Sequence, residues 1–435
     1  MSVLLAEPLS RGGRAARGIL LALLLVPATA SAQPAQGITR ERWVTQTGDD
    51  RQWSQPQFDD SSWRPIDVRS TWRQQGHAGY DGVVWFRGVV PLMDEARLAA
   101  VRNDVGLLLG PPAYGGYEVF AGGRRIGRSR GWSAPLGFGF AEVFRIPRRA
   151  IGNDGMVRLA LRVRRIDWVS RPDLDGAPVS GVLTLGSYRA LSDRAQVVWT
   201  RNLLRELPLL VLAVLFGFAA LHHLLLFGRR RNQAEHLWFG LLALAFAVNT
   251  FASTYWIYEL TANRGIATRI SDLTGHLAAV FAIQFLWTFF SRPISRPLRA
   301  YQLSHLALAA FVGLWPDLRA VFVSGTARWL WLLPLLAIAA ALVLREMRRG
   351  NAEARMIAAG GAAMILVQAA ELARNVLPLP WPFDFPVAAF GFGAVMAAMS
   401  LALSHGFRRV HEELDHLRFQ LEDEVVERTR DLAEA

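Results

Sequence analysis

Leu207-Pro208-Leu209-Leu210-Val211-Leu212-Ala213-Val214-Leu215-Phe216-Gly217-Phe218-Ala219-Ala220-Leu221-His222-His223-Leu224-Leu225-Leu226-Phe227 is an apolar run broken only by two histidines and closed by Gly228-Arg229-Arg230-Arg231. A helix of that length crosses the roughly 30 Å hydrocarbon core of a bilayer. Similar runs occupy Leu237 to Tyr258, Leu273 to Phe290, Leu303 to Trp315, Trp329 to Leu344, Met356 to Leu377 and Phe385 to Leu403. The count is about seven spans, the fourth being the weakest, so residues 205–405 read as a helical membrane domain with its two ends on opposite sides.

The chain has 48 basic against 36 acidic residues, and all of the basic ones are arginine. Their placement decides what they mean. Arg229, Arg230 and Arg231, then Arg292, Arg296 and Arg299, then Arg345, Arg348, Arg349 and Arg355, then Arg408 and Arg409 fall in every second connection between spans. Those connections share one face, which the positive-inside rule makes cytoplasmic. Basic residues distributed as topology determinants argue against nucleic acid as a partner and for membrane lipid.

The N-terminus supports the same orientation. Arg11, Arg14 and Arg17 precede the apolar run Ile19 to Val26, and Ala30-Ser31-Ala32 supplies small residues for cleavage, so residues 1–32 read as an export signal. An export signal places residues 38–190 outside the inner membrane, with the C-terminus in the cytoplasm. The chain has no cysteine, which removes disulfides and thiolate chemistry and leaves the exported part to be held by its core.

That part alternates with period two in short runs: Val83 to Val90, Tyr117 to Phe120 and Val157 to Val163, separated by turn signals at Gly48-Asp49-Asp50, Gly115-Gly116, Gly122-Gly123 and Gly152-Asn153-Asp154-Gly155. The reading is an all-β sandwich. The segments Gly48 to Trp53, Phe58-Asp59-Asp60-Ser61-Ser62-Trp63-Arg64-Pro65, Tyr80-Asp81-Gly82-Val83-Val84-Trp85-Phe86-Arg87 and Tyr117 to Gly127 resemble the galactose-binding-like jelly roll that opens β-galactosidase-like glycoside hydrolases. The resemblance implies a jelly-roll fold and a small-molecule or carbohydrate ligand.

Aromatic faces stack on sugar rings, and arginines hydrogen-bond hydroxyls, which makes Trp72, Tyr80, Arg87 and Trp132, with Trp85, the candidate binding residues. Trp53, Trp63 and Trp85 also fit a role as core or loop anchors. The carboxylates Asp49, Asp50, Asp59, Asp60 and Asp81 sit in turn contexts, where solvated turn residues explain them better than glycoside cleavage does.

Polar residues inside or beside the spans are costly and face the bundle. Asp272 and His276 share one helix face and Glu371 and Arg374 another, all in the outer half by the orientation above. Such a group suits a ligand pocket, a proton-sensitive switch or an interhelical clamp; it is too poor in histidine for zinc, and neither metal nor cofactor is expected.

After the last span, residues 406–435 place apolar side chains at Val410, Leu414, Leu417 and Leu421 in steps of four and three, then slip register through Val425 and Leu432. This predicts a cytoplasmic coiled coil and a homodimer. Leu421 to Leu432 resembles the linker that precedes histidine-kinase or diguanylate-cyclase domains. With the exported sandwich and the spans, the chain resembles the bacterial seven-transmembrane receptors with diverse intracellular signalling modules. The resemblance implies a signalling receptor rather than an enzyme, with a cytoplasmic partner supplying the output. A truncated sensor kinase or cyclase, a transporter or channel using Asp272, His276 and Glu371, and an anchored glycoside-processing enzyme are the alternatives.

Overall fold

The computed structural model describes residues 43–66, 76, 80, 82–110, 115–129, 132, 141–165, 183–261, 264–376 and 387–434. The expected export signal, Trp72 and Asp81 lie outside them.

The first half is a β-sandwich. Strands β1 (Trp43–Thr47), β2 (Arg64–Ile66), β3 (Gly82–Pro91), β8 (Met156–Arg165), β5 (Gly115–Ala121) and β6 (Arg124–Arg128) form one sheet in the order β2-β1-β3-β8-β5-β6. A second sheet, β7-β4-β9, consists of β7 (Glu142–Ile146), β4 (Val105–Leu109) and β9 (Leu183–Ser187). Every pairing is antiparallel. The period-two pattern places alternate residues on opposite faces. Val84, Phe86 and Val90 of β3, Leu159, Leu161 and Val163 of β8, and Tyr117 and Val119 of β5 are buried. So are Leu107, Leu109, Phe144 and Ile146 of the smaller sheet, and Tyr117 meets Phe144 edge-on at 6.0 Å.

Two helices belong to this half, α1 (Asp94–Val101) and α2 (Tyr188–Arg205). Both pack on the smaller sheet. Gly106 of β4 lets α2 come close, since a Cβ there would sit 2.7 Å from the Tyr188 Cα. Helix α2 covers the stretch between residues 190 and 205, for which the sequence pattern predicts neither strand nor span.

The second half contains, among the described residues, seven long helices: α3 (Leu207–Arg229), α4 (Ala234–Ala252), α5 (Arg264–Phe289), α6 (Arg296–Leu314), α7 (Leu318–Arg348), α8 (Ala352–Val376) and α9 (Ala388–Glu434). Phe216, Phe239, Leu242, Ile283, Phe285, Met396 and Met399 share their core. Side chains on the outside are apolar too, among them Val211, Leu215 and Phe218 of α3, Leu333 and Leu336 of α7, and Leu366 of α8. Apolar side chains turned outward along whole helices are what a bilayer, not water, stabilises.

Six of the helices are long and apolar enough to cross a membrane: Leu207–Arg229, Ala234–Ala252, Gly265–Phe289, Val323–Arg348, Ala352–Arg374 and Ala388–Gly406. The expected fourth span, within α6, does not reach that standard among the described residues. Its buried positions Leu298, Gln302, His305, Ala309 and Val312 advance in steps of four and three, so two of the five that face inward are polar. The last span and the tail are one continuous helix, α9.

Candidate functional site

Alternation in the six-stranded sheet leaves Trp85, Arg162 and Glu118 side by side on the face turned away from the smaller sheet, since Arg162 is registered with both neighbours. The Arg162 guanidinium donates from Nε to Asp49 Oδ1 at 2.7 Å, from Nη1 to Glu118 Oε2 at 2.6 Å, and from Nη2 to Asp49 Oδ2. Arg125 Nη1 reaches the other Glu118 oxygen at 2.8 Å, and the Trp85 indole donates to Asp49 at 3.4 Å. The guanidinium lies over the Trp132 ring, 4.6 Å from its centre. Hydrogen bonding by Arg162 holds the Asp49 carboxyl below the usual carboxylate range. Burial pushes Glu118 upward, but the hydrogen bonds from Arg162 and Arg125 outweigh it and the net shift is downward. The result is a ledge with an aromatic ring, a fixed cation, the half-exposed carboxylate of Asp49 and the buried carboxylate of Glu118.

Arg87, a neighbour on the same face, is buried and occupied. Its Nε donates to Asp60 at 2.6 Å, and its Nη atoms donate to the carbonyls of Trp53, Gln55 (3.0 Å) and Phe58 (3.3 Å). It therefore ties the loop after β1 to the sheet. Trp63, Trp85 and Phe120 form a small core under that loop, with Trp53 and Phe58 packed against it. Asp50 and Asp59 accept from the backbone of Gln52 and Ser61, as turn residues do. Arg87 also lines, with Phe58, Trp63, Ile66 and Arg158, a cleft of about 570 Å³. Tyr80 donates its hydroxyl to the Val83 carbonyl at 3.3 Å. Of the expected binding residues, Trp132 is thus on the ledge, Arg87 is in the cleft wall and Tyr80 is at the start of β3.

In the bundle the expected polar group divides in two. Asp272 of α5 pairs with Arg328 of α7 at 2.7 Å, and His276 Nδ1 lies 3.0 Å from His305 Nδ1 of α6. Small residues make the room: a Cβ on Gly325 would come within 2.6 Å of the Asp272 carboxylate, and one on Gly275 within 2.7 Å of the Arg328 guanidinium. Glu371 and Arg374 instead pair with each other on α8, and Glu371 also accepts from the Val387 amide at 2.8 Å. Sequence reasoning misses Arg328 and His305. The apolar pattern places Arg328 in a connection, whereas it lies inside α7. His305 sits in α6, the long bundle helix that falls short of a span, where its spacing from Leu298 and Gln302 is the available signal. No group of three histidines and carboxylates suited to a metal occurs among the described residues.

Hydrogen bonds at both ends of α2 join the sandwich to the bundle. At its start, α2 is fixed to β4: Tyr188 N donates to the Asp104 carbonyl at 2.7 Å, and the Ser187 hydroxyl donates to the Asp104 carboxylate at 2.8 Å. At its end it is fixed to the segment after α4: the Trp199 indole donates to Glu259 at 2.7 Å, the Trp256 indole donates to the Leu203 carbonyl at 3.2 Å, and Glu206 accepts from the Tyr255 amide. At the other end of the membrane helices, Glu346 binds Arg292 and Arg349 at 2.8 and 3.1 Å, and buried Glu353 of α8 accepts from His405 of α9 at 3.3 Å.

Comparison with known proteins gives the membrane half a family. Residues 207–406 match the model of the 7TM diverse intracellular signalling domain. No curated protein matches the chain. Among solved structures, the chain is similar to a calcium-binding mutant of Bacteroides uniformis β-glucuronidase 2, at 20% identity over 34% of this chain and 17% of that one, with a TM-score of 0.27. It is also similar to a glycosyl hydrolase family 2 member from Bacteroides cellulosilyticus, at 17% identity over 30% of this chain and 18% of that one, with a TM-score of 0.24. A Ruminococcus gnavus β-glucuronidase in complex with D-glucaro 1,5-lactone is a third, at 12% identity over 35% of this chain and 30% of that one, with a TM-score of 0.22. The chain spans less than a third of the length of each of these enzymes.

Proposed function

Residues 207–406 being a 7TM diverse intracellular signalling domain, we propose that the chain is an envelope receptor of the bacterial inner membrane. Its sandwich binds a small-molecule ligand of the carbohydrate class outside, and its α9 helix carries the change to a cytoplasmic partner. The observation that supports this best is α2. It is hydrogen-bonded to the sandwich through Asp104 and to the segment after α4 through Trp199, Leu203 and Glu206, so a shift of one end must be taken up at the other.

The ligand surface in this reading is the ledge around Trp132 and Arg162. An aromatic face stacks on a sugar ring, and the ionised, partly exposed Asp49 accepts hydrogen bonds from hydroxyls. The outward face of α9 supports a dimer. Leu417, Leu421 and Val425 are exposed in the single chain, at spacing that a second copy of the same helix would cover as a coiled coil. Alternating arginine-rich connections support a periplasmic sandwich and a cytoplasmic tail.

A thermal-shift panel of saccharides and envelope glycans on the full-length protein in detergent tests the ligand class, because a ligand that binds the folded state raises its melting temperature. A dose-dependent rise that is lost in Trp132→Ala supports a carbohydrate receptor. A flat panel on folded protein removes carbohydrate from the reading.

A further inference from the structure

Two imidazoles whose Nδ1 atoms lie 3.0 Å apart hold one proton between them. One histidine carries its proton on Nδ1 and donates; its Nε2 is then bare. The other accepts at Nδ1 and carries its own proton on Nε2. The pair His276–His305 therefore presents one bare nitrogen and one N–H at its outer corners. Both residues are at most 1% exposed, and neither Nε2 has a hydrogen-bond partner among the described residues. Buried polar atoms left in this condition are destabilising, because they have given up water without gaining a partner. The pair His223–His236, with Nδ1 atoms 2.9 Å apart between α3 and α4, has the same internal bond but no such orphaned atom.

We infer that the His276–His305 pair is a proton-binding site of the bundle, and that proton uptake there competes for Asp272 and slackens the tie between α5 and α7. The proton is taken from solvent by the bare Nε2. That histidine becomes an imidazolium while keeping its Nδ1–H bond to the partner, now charge-assisted and stronger. The new positive charge is shared by the pair, one helical turn along α5 from Asp272. Asp272 is held by Arg328 of α7 at 2.7 Å in the neutral state. A cation on its own helix face draws the carboxylate away from Arg328 and repels Arg328 directly, and both effects loosen the same contact.

The groups facing the pair make this the dominant response. From α5 comes Asp272, and from α7 comes Arg328, which also donates to the Ser271 carbonyl at 3.1 Å. From α6 comes Tyr301, whose ring lies edge-on to His305 at 4.8 Å and whose hydroxyl donates to the Trp331 carbonyl on α7. Asn249 of α4, uncharged, meets α5 at Ser271 and Thr274, donating to the Ser271 carbonyl at 2.7 Å. Asp272 is thus the one anion in this set of described residues. Gly275 and Gly325 let α5 and α7 approach closely where that anion sits, so a small displacement of the carboxylate is felt as helix separation.

The absence of native cysteine makes the test direct. Ile266→Cys on α5 and Val323→Cys on α7 place spin labels at exposed positions of the full-length protein in lipid nanodiscs. The interlabel distance is followed as pH falls from about 8 to about 4, a range that includes histidine titration. A reversible lengthening, abolished by His276→Gln and by His305→Gln, is expected. No change in the parent, or the same change in the folded variants, overturns the inference. If the variants do not fold, nitrogen NMR of ¹⁵N-histidine-labelled parent decides: one bare Nε2 that protonates in this range upholds the site, and two histidines unresponsive to pH overturn it. Neither outcome depends on the ligand of the sandwich.

Discussion

Arg162 in the sandwich and Arg328 in the bundle are both arginines paired with carboxylates, yet they do different work. Arg162 bridges the buried Glu118 to Asp49, and Asp49 remains 41% exposed. Water competes for Asp49, so that end of the assembly can be rearranged at little cost, while Glu118, 4% exposed, stays held between Arg162 and Arg125. Arg328 and Asp272 are 11% and 8% exposed between helices, where losing the partner leaves a charge with nowhere to go. The same pair of chemical groups thus has one adaptable, water-facing end in the sandwich and forms a closed interhelical latch in the bundle.

Arg328→Met tests the latch at its largest. It leaves Asp272 charged and alone, and thermal or denaturant unfolding of the full-length protein should show a loss of about 3–5 kcal/mol, most of it recovered in the Arg328→Met, Asp272→Asn double variant. Arg87→Met comes next, because it frees the carbonyls of Trp53, Gln55 and Phe58 together. A loss of about 2 kcal/mol is expected, read as an earlier tryptophan-fluorescence transition of the sandwich. Gly325→Ala, which pushes a methyl against the Asp272 carboxylate, should cost about 1–2 kcal/mol in the bundle and leave the sandwich transition unmoved.

The pH response of the sandwich is smaller and has a defined sign. Asp49 and Glu118 have folded-state values below their unfolded ones, so their contribution is complete above about pH 4–5 and is lost as pH falls toward the folded values. Melting of the sandwich should steepen its decline in that acidic window, and Arg162→Met should flatten it. Trp132→Ala is the smallest perturbation, about 0.5–1 kcal/mol for the ring beneath Arg162. A larger loss of stability would make Trp132 a structural residue and weaken its place in the ligand surface.

Much of the architecture is legible in the sequence because it rests on period and composition. Alternation in Val83 to Val90 and Val157 to Val163 specifies paired strands β3 and β8, and the apolar run from Leu207 specifies α3. The fourth span is visible as weak for a physical reason, since α6 turns Gln302 and His305 inward and leaves polar atoms in its apolar stripe. Pairing across helices is what sequence pattern withholds. Asp272 and His276 can be placed on one face, but Arg328 is 56 positions from Asp272 and His305 is 29 from His276, and only packing brings them together. Arg87 misleads for a related reason: its motif position gives no sign that its guanidinium is already bound to the loop before it.

The proposed receptor moves its tail when its sandwich takes up ligand. With Leu421→Cys spin-labelled on α9 of the full-length protein in nanodiscs, the distance between the two tails of the proposed dimer is measured before and after adding an envelope polysaccharide extract that raises the melting temperature. A change in that distance is expected, lost when the α2 tie is cut by Trp199→Phe together with Trp256→Phe. Binding of the extract with no change in tail separation would contradict signalling from the sandwich to the tail.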